Sequence, residues 1–301
     1  MKVVFDTRPN SGYDDGAGRY HFPIKNYLPL ATAALGDWVL YREPRRDGGR
    51  SAYVGIARLS SINPDPASPG HRYATVTDFL PFDTPVPLRG PYGYWEAPLR
   101  ALADIRMIGR TLQGKSVRAI AEDDFAAIVL AGLGDLPTTE AVIQSPEPKK
   151  NGPTVEDADL PVRQIQAVLA NRKIRDAMFR KRIRRAYDDR CAVTGLRVHD
   201  AKGRSEVQAA HIWGVGDGGP DVLGNGLALS GTVHWLFDHH LIGLSEDCRL
   251  IVAPTIPDAL RALMLPAGQQ VTLPDDPSAR PKPAFLARRL KRFCEANGYR
   301  T

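Results

Sequence analysis

The stretch Arg190–Ser245 reads RCAVTGLRVHDAKGRSEVQAAHIWGVGDGGPDVLGNGLALSGTVHWLFDHHLIGLS, and four of the chain's seven histidines fall between His211 and His240. Its periodicity predicts two short strands, a glycine-rich loop and a helix. His211 is followed after 13 residues by Asn225, and after eight more by His234. Asp238 stands four positions beyond His234, so a helix brings both side chains to one face, within reach of one ion. Histidine titrates near neutrality and suits the removal of a proton from water, while an imidazole and a carboxylate together suit a divalent cation. The run GVGDGG (214–219) lacks the strand–GxxxxGK[ST]–helix frame of a phosphate-binding loop and reads as a plain turn.

At A-A-H-I (209–212), N-G-L-x-L (225–229) and H-x-L-F-D (234–238) the chain resembles the HNH, or ββα-metal, endonucleases. The resemblance spans roughly the last 130 residues and implies a DNA nuclease. It makes His211 the general base, Asn225 the residue that holds the loop and helps to orient that base, and His234 a metal ligand. Many members place Asp, Glu or His just before the base, whereas this chain has Ala210. Asp238 is the candidate for the missing ligand; Gln208 and Glu206 are weaker ones, and His239 or His240 are substitutes. Mg²⁺ or Mn²⁺ fits a sparse site completed by water and phosphate oxygens, and an added histidine would admit Zn²⁺ or Ni²⁺. Ala210 also keeps open a nucleic-acid-binding module whose nuclease site has decayed.

Upstream, residues 162–190 place Ile165, Val168, Leu169, Ile174, Met178, Phe179, Ile183 and Tyr187 at helical spacing. Nine Lys or Arg stand against three acids between Arg172 and Arg190, and Arg180, Arg182, Arg184 and Arg185 are candidates to track a phosphate backbone. Downstream, Leu250–Ala253 reads as a strand and Pro283–Tyr299 as a basic helix offering Arg288 and Arg289 to DNA. Residues 164–301 hold 21 Lys and Arg against 14 acids, while residues 1–143 hold 16 of each. The whole excess of positive charge therefore lies in the histidine-bearing half, as expected of a polyanion-binding domain.

The proline- and charge-rich segment 144–163 reads as a linker. Before it, Trp38–Tyr41 and Ala52–Ile62 flank a Pro/Asp/Gly loop as a hairpin, with a third strand at Tyr73–Leu80. The pattern predicts a small, strongly bent sheet, not a parallel βαβ unit, followed by helices over Pro98–Leu112 and Ser116–Leu130 with Ser116 as N-cap. This texture is similar to the PUA-like superfamily (EVE, YTH and SRA modules), which implies an aromatic pocket for a flipped modified base. Trp38, Tyr41, Tyr53 and Trp95 are the pocket candidates, beside Tyr92 and Tyr94. Arg42, Arg45, Arg46 and Arg50 crowd the hairpin tip, either to grip DNA or as a solvated loop.

The expectation is thus an α+β protein: a β-barrel-like, PUA-like domain over 1–143, a linker over 144–163, and an HNH nuclease domain with flanking helices over 164–301. Its partner is double-stranded DNA, containing modified cytosine or, alternatively, an unmodified sequence or structure. Paired cuts by a single-site nuclease imply a homodimer. With 43% hydrophobic and 25% charged residues, and neither an 18-residue apolar run nor a signal-peptide h-region, a cytoplasmic protein without membrane contact is expected. Three scattered cysteines exclude a disulfide framework.

Overall fold

The structure, a computed structural model, describes residues 1–8, 18–45, 48–133 and 162–299. Arg46 and the expected linker up to Pro161 lie outside the described residues. Contacts divide the chain into two compact units, and within the long helix Val162–Ala186 the division falls between Ile174 and Arg175. No helix among the described residues is long and apolar enough to cross a membrane.

The first unit contains β1 (Val3–Asp6), β2 (Arg19–Pro23), α1 (Ile24–Ala33), β3 (Trp38–Glu43), β4 (Ala52–Pro64) and β5 (His71–Pro87). A two-residue pair, β6 (Arg89–Gly90) and β7 (Gly93–Tyr94), leads to α2 (Ala97–Arg100), α3 (Ile108–Leu112), β8 (Val117–Ala119) and α4 (Glu122–Gly132). Six strands form one sheet in the order β2-β5-β4-β3-β1-β8. Val3, Val4 and Phe5 are all wholly buried. A strand covered on both faces needs such an unbroken apolar run, not alternation.

The sheet is strongly curled. The ladder between β4 and β5 shifts register three times, and each bulge adds local twist. Three strands separate β2 from β1 in the sheet, yet the Tyr20 ring stacks on Phe5 with centroids 4.4 Å apart. The Tyr20 hydroxyl lies 3.1 Å from the Asp6 carbonyl and 3.4 Å from that of Ser116, which precedes β8. The two edges therefore approach through side chains, giving a curled, half-barrel sheet. One feature departs from the expectation: β1 and β3 pair in parallel, Val3 opposite Val39.

The helices here also differ from the sequence pattern. Pro98–Leu112 breaks after Arg100 and restarts in a 3-10 turn, where the Asp104 carboxylate accepts from the Arg106 amide. Ser116 caps no helix; Val117 pairs with Phe5 and extends the sheet. Long-range pairing overrides the local helical spacing there.

In the second unit the C-terminal part of α5 (Val162–Ala186) packs over β9 (Gln208–His211) and β10 (Gly226–Leu229), which α6 (Gly231–Asp238) follows. Then come β11 (Ile242–Leu244), β12 (Leu250–Val252), α7 (Asp258–Arg261) and α8 (Pro283–Ala296). β9 and β10 are antiparallel, with His211 opposite Gly226 and Gln208 opposite Leu229. Phe179, Ile183, Ala210, Leu227, Leu229, Val233, Leu236 and Phe237 share one core. A Cβ on Gly226 would collide with Ile183 and Phe179, so glycine there lets α5 lie directly on the hairpin. Cys191, Cys248 and Cys294 are free.

Candidate active site

His211 ends β9, and the pleat turns its ring toward α5, where it stacks on Phe179 at 3.9 Å and 7°. Its Nε2 lies 2.9 Å from Oδ1 of Asp221 in the loop before β10. A carboxylate only accepts, so in the neutral ring the tautomer with hydrogen on Nε2 and the lone pair on Nδ1 is favoured. Sequence reasoning missed Asp221. A single aspartate in a Gly/Pro loop has no periodicity to mark it; its proximity to the histidine frame was the only signal.

Asn225 is 0% exposed, and its three side-chain hydrogen bonds go to backbone groups of Trp213 and Pro220. Its Oδ1 accepts from the Trp213 amide at 2.9 Å, and its Nδ2 donates to the carbonyls of Trp213 and Pro220 at 3.0 and 2.9 Å. It thus clasps both ends of the loop 213–220 and, through that loop, fixes the approach to Asp221. Gly219 is required inside it, since a Cβ would strike the Trp213 carbonyl.

His234 and Asp238 come together on α6 as their spacing predicts, with Nε2 and Oδ2 3.4 Å apart and both side chains under 20% exposed. Gln208 Oε1 lies 2.8 Å from Nδ1 of His234 and fixes that nitrogen as the donor, leaving the Nε2 lone pair on the Asp238 side. Two adjacent ligands of an ion bound at about 2.1 Å stand about 3.0 Å apart, so this pair fits two corners of a divalent-cation shell. Water and phosphate oxygens would complete it; among the described residues no three His, Cys, Asp or Glu gather as a fuller set. Ala210 is wholly buried in the core, and Gln208, two residues earlier on the same strand face, is the side chain that reaches the helix histidine.

The neighbouring candidates divide. Glu206 accepts from the Gly231 amide at the start of α6. His239 stacks on Trp235 at 4.0 Å and its Nδ1 meets that residue's carbonyl. His240 takes a left-handed φ of 56°, and burial, with Arg289 and Arg292 nearby, pushes its pKa down to about 4, so it is neutral at pH 7. Arg289 is nearly buried beneath Phe237, donates to the Phe237 carbonyl and lies 3.9 Å from Asp238. Burial lowers its pKa to about 10, which leaves it charged at pH 7.

Of the remaining arginines, Arg182, Arg185 and Arg288 are exposed. Arg180 is half-buried, and Arg184 is held by Asp189 at 2.8 Å. In the first unit Arg45 is exposed and Arg50 is paired with Glu43. Arg42 corrects the expectation of a DNA contact: it is 5% exposed and bonds Asp6 at 2.8 Å. Tyr53 corrects that of a pocket ring, being 0% exposed with its hydroxyl donating to Glu96 at 2.6 Å. Glu96 also receives Arg118, which reaches on to Asp6, so these five polar groups form a buried structural network. Tyr41 is 8% exposed among Phe5, Tyr20 and Phe79. Trp38 and Trp95 remain half-buried, the latter donating to the Pro87 carbonyl.

Residues 191–245, which span the Asp221 loop, both strands and α6, match the family described as HNH endonuclease. This segment is an HNH endonuclease domain. The protein is accordingly a nuclease, and HNH nucleases use a divalent metal ion. No curated protein sequence matches the chain. Among solved structures the chain is similar to a "modification dependent TagI restriction endonuclease", with 14% identity, a TM-score of 0.32, and 97% of this chain and 80% of that one covered. It is also similar to the N-terminal domain of Staphylothermus marinus McrB (12% identity, TM-score 0.29, 42% and 92% covered). A third is the type IV phosphorothioation-dependent restriction endonuclease ScoMcrA (13%, 0.20, 78% and 51%).

Proposed function

We propose that the protein is a restriction-type endonuclease that hydrolyses phosphodiester bonds in double-stranded DNA by one-metal HNH chemistry, with modified cytosine read by its first unit. The observation that supports this best is the oriented His211–Asp221 pair inside the HNH segment. His211 receives the water proton at Nδ1 while Asp221 steadies the resulting imidazolium. The water oxygen bonds phosphorus as the bond to the 3′ oxygen breaks, and that oxygen regains a proton from solvent. His234 and Asp238 would hold a divalent ion, which would neutralise charge on the phosphorane-like transition state and on the leaving oxygen. Asn225 holds the loop. The exposed Arg182, Arg185 and Arg288 meet backbone phosphates, which makes affinity salt-dependent.

The modified-base reading is supported by Trp38 and Trp95, which are half-buried where Tyr41 and Tyr53 are buried. Two copies of a single-site nuclease meet on DNA to cut both strands. Matched duplexes carrying cytosine, 5-methylcytosine or 5-hydroxymethylcytosine test the proposal. Cleavage confined to a modified duplex supports both halves; equal cleavage of all three keeps the nuclease and discards the modified-base pocket.

A further inference from the structure

One side of the HNH unit holds a cleft of about 240 Å³ between the Trp213–Pro220 loop and α8, lined by Trp213, Gly214, Asp217, Arg288, Arg289 and Arg292. Three guanidiniums from one helix converge on it. Arg288 lies over the Trp213 ring at 4.0 Å. The Nε of Arg289 is buried with no hydrogen-bond partner among the described residues. Arg292 is bonded at 2.6 Å to Oδ2 of Asp217, at the tip of the loop that Asn225 clasps.

We infer that this cleft is a subsite for a DNA backbone phosphate and that the Asp217 carboxylate occupies it as an internal stand-in, to be displaced when DNA binds. The inference rests on reading the chain as a DNA nuclease and adds where a second phosphate is gripped. Planar guanidinium forks match phosphate oxygens, and Arg288 and Arg292 are exposed to such a ligand while Arg289 is tied to the Phe237 carbonyl behind them. The Asp217 carboxylate meets Arg292 through Oδ2, as a single phosphate oxygen would. The Asp217 and Arg292 side chains are 41% and 50% exposed, and an ion pair that open to water is weak enough to exchange for a better anion. The loop is pinned at its ends, so Asp217 yields by turning its side chain rather than by unfolding.

The two partners should act in opposite directions. Binding of a fluorescent duplex to the full chain is measured by anisotropy across a KCl series, with EDTA present so that no strand is cut. Asp217→Asn removes the competitor and should tighten binding, by up to about fivefold. Arg292→Gln removes a phosphate contact, weakens binding and lowers the slope of log affinity against log salt by about one. A pair that merely braces the loop would shift both variants in the same direction with a fall in thermal stability, and that result overturns the inference, as does unchanged binding in both. If the wild type cuts DNA but Asp217→Asn fails to bind tighter, only this inference falls. If the wild type neither binds nor cuts duplex DNA, the nuclease reading falls with it.

Discussion

Asp221 Oδ1 meets Nε2 of His211 at 2.9 Å across ten residues of chain, while Phe179 stacks on the same imidazole at 3.9 Å. One contact sets the tautomer and the other the ring plane, so the imidazole is held in a fixed orientation. Asp221→Asn can present its NH₂ to Nε2, which favours the tautomer with the hydrogen on Nδ1. Single-turnover cleavage should slow by roughly 10²-fold with thermal stability nearly unchanged. Measuring both quantities on one preparation separates this role from a structural one.

Gln208 is expected to act through His234. Replacing it with Leu removes the acceptor that holds Nδ1–H and should weaken Mn²⁺ binding by about tenfold or more. Titration calorimetry with Mn²⁺ alone reads this without any DNA. His234→Ala should lose measurable binding, and EDTA should stop cleavage by the wild type.

Asn225→Ala would leave the Trp213 amide and the carbonyls of Trp213 and Pro220 without their buried partner. Each such loss costs about 1–3 kcal/mol, so the unfolding free energy should fall by on the order of 3 kcal/mol or more. Urea denaturation followed by tryptophan fluorescence checks it. A change below 1 kcal/mol would remove the clasp from the account.

The first unit should be acid-sensitive. Burial alone would raise the Glu96 pKa, but hydrogen bonds and charge from Arg118, with Tyr53 and Arg42, outweigh it and hold the carboxyl below its usual 4.5. A depressed folded-state pKa contributes stability above the ordinary carboxylate range that is lost as pH falls through the folded value. The melting temperature of the first unit should therefore hold from pH 7 to about 5 and decline below about 4.5. In Glu96→Ala the network keeps Arg118 buried with half its partners, and a loss of about 3–5 kcal/mol is expected at pH 7.

The HNH hairpin, α6 and α8 were legible because their cues are local: two short apolar runs around the glycine-rich loop, the four-residue step from His234 to Asp238, and the proline-led basic helix from Pro283. Asp221 was not, since the turn that carries it back to His211 is built by Asn225 and Gly219 through tertiary bonds. In the first unit β4 and β5 follow their apolar runs, whereas β1 and β8 depend on pairing across more than 110 residues, Val3 with Ala119. Arg42 and Tyr53 misled for a related reason. A hairpin arginine and a strand tyrosine look exposed in one dimension, and only the fold brings Asp6 and Glu96 to receive them.

The most direct measurement is cleavage of duplex DNA, unmodified and cytosine-modified, by the wild type and His211→Ala with Mg²⁺ or Mn²⁺. Cutting by the wild type should depend on the metal and fall by about 10²–10⁴-fold in His211→Ala. Cutting by His211→Ala at the wild-type rate, or no cutting by the wild type with any divalent ion, would contradict the proposed mechanism.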